Sequence, residues 1–143
     1  GYYNDYGLDL NSDGLYEYLV LETEVEVIEA GDYDLAAFLA EQAAQLFLKH
    51  KIFALTGEMP RTHVLRQPFG ILQNLIKDKS AEIQDFTKRH RSLLIRLEEA
   101  YIASRYLVRR YNKEETEELV SFARRILDFV SNLLSDLKYL FSV

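Results

Sequence analysis

Along residues 35–56, "LAAFLAEQAAQLFLKHKIFALT", the apolar positions Leu35, Leu39, Ala43, Leu46 and Phe53, with His50, recur at three- and four-residue steps. That spacing predicts a helix with one buried stripe. Asp32 or Asp34 can supply the N-cap, and Gly57 stands where a left-handed C-cap is expected. "GEMPRTH" follows as a short connection punctuated by Gly57 and Pro60.

Residues 64–77 repeat the pattern, with Leu65, Phe69, Leu72 and Ile76 on one side. Pro68 interrupts it, so the regular helix is expected to begin near the proline rather than at Thr62. Residues 81–107 predict one long helix, its core face formed by Ile83, Phe86, His90, Leu93, Leu97 and Tyr101. The last helix has a clear start signal, because Asn112 can cap and Glu115 stands in capping-box position. Its stripe runs Leu119, Ala123, Ile126, Val130, Leu133 and Leu137, with acids crowding the first turn as the helix dipole prefers. Short connections imply that neighbouring helices pack antiparallel in a bundle.

Residues before 35 speak differently. "YLVLETEVEVIEA" alternates charged and β-branched residues and scores as a strand, most clearly at 18–29. Leu15, Tyr18, Leu19, Val25 and Ile28 also make a crude helical stripe, spoiled by Glu22. A lone strand would have no sheet partner downstream, so tertiary context can override local preference. The expectation is a helix at 14–30 against that preference, with a short β segment at 18–29 as the alternative.

Composition sharpens this only in places. A chain of 143 residues without cysteine fits one domain and leaves no thiolate nucleophile, disulfide framework or Cys-based zinc site. No apolar run reaches transmembrane length, and "GYYNDYGLDL" lacks the basic-then-apolar order of a signal, so no membrane and a cytoplasmic setting are the default expectations. The net charge of −6 conceals a division. Residues 1–34 carry ten acids and no Lys or Arg; the rest holds all 17 basic groups against 13 acids. Such asymmetry marks parts of a chain with separate roles. The larger part can therefore meet an anionic partner despite the overall acidity.

Four segments in order carry a resemblance: "GDYDLAAFLAEQAAQLFLK" (31–49), "TGEMPRTHVLR" (56–66), "LEEAYIASRY" (97–106) and "EETEELVSFARRILDFV" (114–130). Together they resemble the HEPN family of prokaryotic four- to five-helix bundles, in an archaeal-type branch, over about 31–135. The resemblance implies an all-α antiparallel bundle whose first long helix precedes "GDYD", within a single domain over 1–143 whose residues 1–13 form an irregular acidic segment. It also implies homodimers, and pairing with a small nucleotidyltransferase made as a separate chain. Some branches are ribonuclease toxins of toxin–antitoxin pairs; others are proposed nucleotide-binding modules.

The ribonuclease branches carry an Arg followed by four to six residues and a His. The His would act as acid and base toward the 2′-hydroxyl and the Arg would stabilise phosphorane charge. Here the matching stretch is "SRYLVRRYN". Arg105 is present, but Arg110, Tyr111 and Asn112 stand where the His would fall. A tyrosine near pKa 10 is a poor base at neutral pH. The enzyme alternative is thus a metal-independent ribonuclease with a degraded motif, using Arg105 and Tyr111.

A second, shorter resemblance lies in "DLNSDGLYEYLV" (9–20), which reads Asp-x-Asn-x-Asp-Gly like the start of a calcium loop. Asp9, Asn11 and Asp13, with the Leu15 carbonyl and Glu17, could supply oxygens to calcium. The following "LYEYLVLETEVEVIEAGDYDL" resembles the strand pair of FG-GAP-like calcium repeats. Val20 at the twelfth position excludes an ordinary EF-hand. The plain reading is a turn and helix start, with Ser12 or Asp13 as N-cap. Both resemblances meet at "EAGDYDL", which leaves open a natural or engineered chimera with a structural role.

The basic run places Lys88, Arg89, Arg91, Arg96, Arg105, Arg109 and Arg110 within 23 residues, interleaved with Tyr101, Tyr106 and Tyr111. Cations with stacking faces suit a nucleotide or single-stranded RNA; the plain alternative is a solvated face paired with acids. The expected ligand patch is Arg105, Tyr106, Arg109, Arg110 and Tyr111. His90 lies on an apolar stripe and is expected in packing. His63 is expected to be structural or ligand-contacting, and no His pair has helical metal spacing. The sequence reading is therefore a non-catalytic nucleotide- or RNA-binding and partner-binding module.

Overall fold

The computed structural model describes residues 26–106 and 111–141, with side chains at 26–103 and 111–136. Five α-helices follow in order: α1 (Tyr33–Thr56), α2 (Arg66–Leu75), α3 (Ser80–Arg89), α4 (Arg91–Tyr106) and α5 (Lys113–Phe141). A 3-10 turn (Lys77–Lys79) joins α2 to α3, and no strand occurs among the described residues.

The corner before α1 is helical. The Gly31 N–H donates to the Ile28 carbonyl (2.9 Å) and the Asp32 N–H to the Val27 carbonyl (3.2 Å). These are the paired bonds of a Schellman closure, with Gly31 left-handed at φ +80°. Ile28 is buried against the core. Among the described residues the strand alternative at 18–29 is thus corrected, because packing of Ile28 outweighs its local preference. Residues 14–25 and 1–13 lie outside the described residues. Asp32 then opens the next helix, its carboxylate accepting the Leu35 N–H at 3.4 Å.

The α1 helix runs as expected, and Gly57 closes it at φ +78° with its N–H donating to the Phe53 carbonyl at 2.7 Å. Its buried face is not the expected one. Ala36, Ala37, Ala40, Ala43, Ala44, Phe47, Leu48 and Ile52 face the core, while Leu35, Leu46 and Phe53 are exposed at 42%, 43% and 45%. Leu39 and His50 are half-buried, so only Ala43 of the expected stripe is in the core. The physical reason lies in size. The axis-to-axis distance of packed helices depends on the side chains at the contact, and an alanine face lets α5 and α4 approach α1 closely.

In the stripe expected over 81–107, Ile83, Phe86, Leu97 and Tyr101 are buried and His90 and Leu93 half-buried; the stripes of α2 and α5 match, with the Leu137 side chain outside the described residues. Leu65, Phe69, Leu72 and Ile76 are buried, as are Leu119, Ala123, Ile126, Val130 and Leu133. Pro68 occupies the first turn of α2, where its missing N–H would have no intrahelical partner. Asn112 and Glu115 form the capping box, with the Asn112 side chain accepting the Glu115 N–H at 2.8 Å.

The long helix expected over 81–107 is interrupted at His90. Its backbone N–H and its Nδ1–H both donate to the Phe86 carbonyl, at 3.1 and 2.9 Å. A side chain competing for the carbonyl one turn back disturbs the helical ladder. The α3–α4 pair runs back along α5: Lys79 meets Asp136, the Phe86 and Phe122 rings lie 6.2 Å apart, and Arg96 meets Glu118. In contrast α1 and α5 set out from the same end, where the Tyr111 N–H, just before α5, donates to the Asp34 carboxylate in the first turn of α1 at 2.7 Å.

Candidate functional site

One face of α4 looks toward α1 and the start of α2. Glu98, almost wholly buried, accepts the Arg66 backbone N–H and Nε–H on one oxygen at 3.1 and 3.0 Å. Its other oxygen accepts Arg66 Nη2–H at 3.1 Å. The carboxylate thus caps the N-terminus of α2, which carries positive partial charge, and orients the guanidinium by a bidentate pair. The hydrogen bonds Arg66 donates to Glu98 raise its pKa further, so its charge is fixed.

One turn on, the exposed His63 ring stacks on Tyr101 at 4.6 Å and 13°, and Phe38 of α1 lies 6.5 Å from the same tyrosine. The Thr62 hydroxyl accepts the Val64 N–H at 3.1 Å, ordering the loop that delivers His63. Behind this layer sits Glu41 of α1, wholly buried and accepting Nε2–H bonds from Gln42 (2.6 Å) and Gln45 (2.8 Å). Burial pushes the Glu41 carboxyl up to about 7, and the Glu98 charge adds to the rise; the two glutamines and Lys49 hold it back.

Arg105 stands one turn after Tyr101 and two turns after Glu98 on the same helix, so the three share a register. The side chains of Arg105 and Tyr106, and Arg109 and Arg110 entirely, lie outside the described residues. Tyr111 is described, and it corrects an expectation. It is 6% exposed and belongs to the core, while its backbone N–H donates to the Asp34 carboxylate at 2.7 Å. A buried ring offers no face for stacking on a ligand and no hydroxyl to a 2′-oxygen. The backbone of Tyr111 ties the chain just before α5 to the start of α1.

His90 lies elsewhere, in a groove of about 550 Å³ between α3 and α5. Its ring tilts on Phe86 (4.5 Å) and Phe122 (5.4 Å), which is the packing role expected of it. With Nδ1 donating to Phe86, Nε2 accepts from Arg125 Nη1 at 3.3 Å, so both ring nitrogens are engaged. Glu82, Asp85 and Asp128 share this groove with Arg89 and Arg125.

Among the described residues no group of three His, Asp or Glu side chains is placed to hold a metal. The expected calcium ligands Asp9, Asn11, Asp13, Leu15 and Glu17 lie outside the described residues. No helix among the described residues is long and apolar enough to cross a membrane.

The HEPN domain model matches residues 20–133. The chain belongs to the HEPN family. The match crosses the Gly31 corner, so the residues on both sides of it are covered by one domain model. Neither a curated protein nor a solved structure matches the chain. Within this HEPN domain, sequence reasoning missed Glu41 and the Arg66–Glu98 pair. Two signals were present: Glu98 falls between the core positions Leu97 and Tyr101, and Glu41 interrupts an alanine-rich face with Gln45 one turn on.

Proposed function

We propose that this HEPN domain is a non-catalytic module that binds a phosphate-bearing ligand, a nucleotide or RNA, and a protein partner. The observation that carries the reading is the face of α4. Arg66 held by Glu98 and His63 stacked on Tyr101 lead along one register to the position of Arg105. Arg109 and Arg110 follow Arg105 in the sequence. Cations beside an exposed ring suit phosphates and bases. Against catalysis stands the chemistry of the motif, since Arg110, Tyr111 and Asn112 replace the required histidine and the Tyr111 ring lies in the core.

The test is binding of ATP and of a short single-stranded RNA to the purified protein across a salt series. Binding at low salt is expected, weakened by Arg105→Ala with Arg110→Ala. No binding at low salt, or binding unchanged in the double variant, refutes the reading. RNA cleavage without metal that is abolished by Tyr111→Phe would instead support the ribonuclease alternative.

The partner surface is the outward stripe of α1, where Leu35, Leu46 and Phe53 are exposed along one side. A second copy of the chain is the occupant proposed, since two such stripes can pack about a two-fold axis and HEPN domains often dimerise. A small nucleotidyltransferase is the other partner the resemblance implies. Light scattering on Leu46→Asp with Phe53→Asp separates these: a dimer that becomes a folded monomer is expected, and an unchanged mass excludes this stripe.

A further inference from the structure

The basic groove between α2 and α3 has a different composition from every other surface described above. It encloses about 280 Å³, and its wall carries Arg66 from α2, Lys88 from α3 and Arg91 from the start of α4, with the Gln73 amide beside them and no carboxylate in the lining. The neighbouring groove around His90 sets three acids against two arginines. Neighbouring cations therefore divide between the two grooves. Arg89 is turned toward Asp85 and pairs with it, while Lys88 and Arg91 are exposed and make no ion pair among the described residues.

Two further features shape the groove for a ligand. Arg66 is fixed in place by the bidentate Glu98 contact, which leaves its Nη1 edge unspent on that carboxylate. Gly70 lies within α2, where glycine costs about 1 kcal/mol against alanine. A Cβ there would meet nothing within 4 Å, so no neighbour requires its absence. What the glycine does provide is an open floor.

On α4, Arg91, Glu98 and Arg105 are spaced seven residues apart and so lie along one face. At about 1.5 Å per residue, Arg91 and Arg105 are about 21 Å apart along the axis. Glu98 places the Arg66 guanidinium between them. We propose that the groove is a phosphate-binding subsite, and that with the Arg105 position further along α4 it forms a cationic track for a single strand of several nucleotides. A mononucleotide cannot bridge that span. This deepens the reading above and rests on it for the class of ligand.

The experiment is fluorescence anisotropy of labelled oligouridylates of increasing length, with AMP as competitor, over a salt series. Four variants accompany the wild type: Lys88→Ala with Arg91→Ala, Gly70→Glu, Arg105→Ala with Arg110→Ala, and Arg89→Ala as a charge control outside the groove. Circular dichroism confirms that each is folded. Affinity is expected to rise with length. Losing two phosphate contacts should flatten the log–log salt slope by about 1.4 in the Lys88/Arg91 variant. Gly70→Glu should lose affinity likewise, and Arg89→Ala should keep the wild-type slope.

Loss in the Arg105/Arg110 variant alone overturns the groove and leaves the proposed function standing. Loss in the groove variants alone overturns the track. Equal losses in Arg89→Ala and the groove variants reduce the effect to net charge and overturn the subsite. AMP competing as well as the longest oligonucleotide overturns the strand.

Discussion

Glu41 is the most exposed point of the design to a physical test, although no solvent reaches it. Its carboxyl rises from 4.5 to about 7 because burial disfavours the anion, with Glu98 adding repulsion. At about 1.36 kcal/mol per pH unit, this rise is worth about 3 kcal/mol. The direction follows from linkage. Between these two values the native state holds a proton that the unfolded chain has released, so stability falls as pH rises. The contribution is intact below about 4.5 and lost above about 7.

Glu41→Gln removes that titration while keeping the shape. Gln45 can turn its amide so that a carbonyl meets the new N–H group, because the two ends of an amide are nearly isosteric. Urea unfolding of wild type and variant in parallel, from about pH 5 to about pH 8.5, cancels the titrations they share. The stability of the variant relative to wild type should grow with pH by up to about 3 kcal/mol. In melting temperature that is roughly 10 °C for a chain of this size. Parallel stability curves, with no divergence through neutral pH, would refute the argument that burial holds the proton on Glu41.

Asn112→Ala should cost about 1 kcal/mol in urea unfolding, because the capping box at the start of α5 loses its side-chain acceptor. Phe122→Ala, at a 1% exposed site stacked near Phe86 and His90, should cost about 3–5 kcal/mol by the same measurement. Glu98→Ala removes all three bonds to Arg66 and should cost about 1–3 kcal/mol. It should also loosen Arg66 enough to weaken phosphate-ligand binding at low salt.

Legibility varied with the kind of signal. Caps were plain in the sequence: Gly57 and Asn112 do locally what their chemistry suggests, because a cap needs only the few residues around it. The stripes of α2 and α5 were plain too, since each helix has one apolar side. The α1 stripe was misread because that helix is apolar nearly all round, and periodicity cannot say which side faces in. The break at His90 was hidden, because no proline or glycine marks it; there the ring nitrogen and the backbone N–H share the Phe86 carbonyl.

The candidate site divides in the same way. Arg105, Arg109 and Arg110 could be named from the basic run they end, interleaved with tyrosines. Arg66 could not, because its partner Glu98 stands 32 positions away. Tyr111 was assigned to a ligand because tyrosines beside arginines suit one; only packing around α1 shows its ring turned inward.

The sequence by itself determined that this chain makes helices, where most of them start and stop, and that it carries the HEPN pattern without the ribonuclease histidine. Those are properties of neighbours along the chain, set by hydrogen bonds and spacing within a few turns. Only the tertiary structure decided that the alanines with Phe47, Leu48 and Ile52, rather than Leu35, Leu46 and Phe53, line the core side of α1, that Glu41 is sealed from water, and that Arg66, Lys88 and Arg91 share a groove. Burial and charge pairing depend on which distant surfaces meet, and that is settled by close packing of the whole bundle rather than by any local preference.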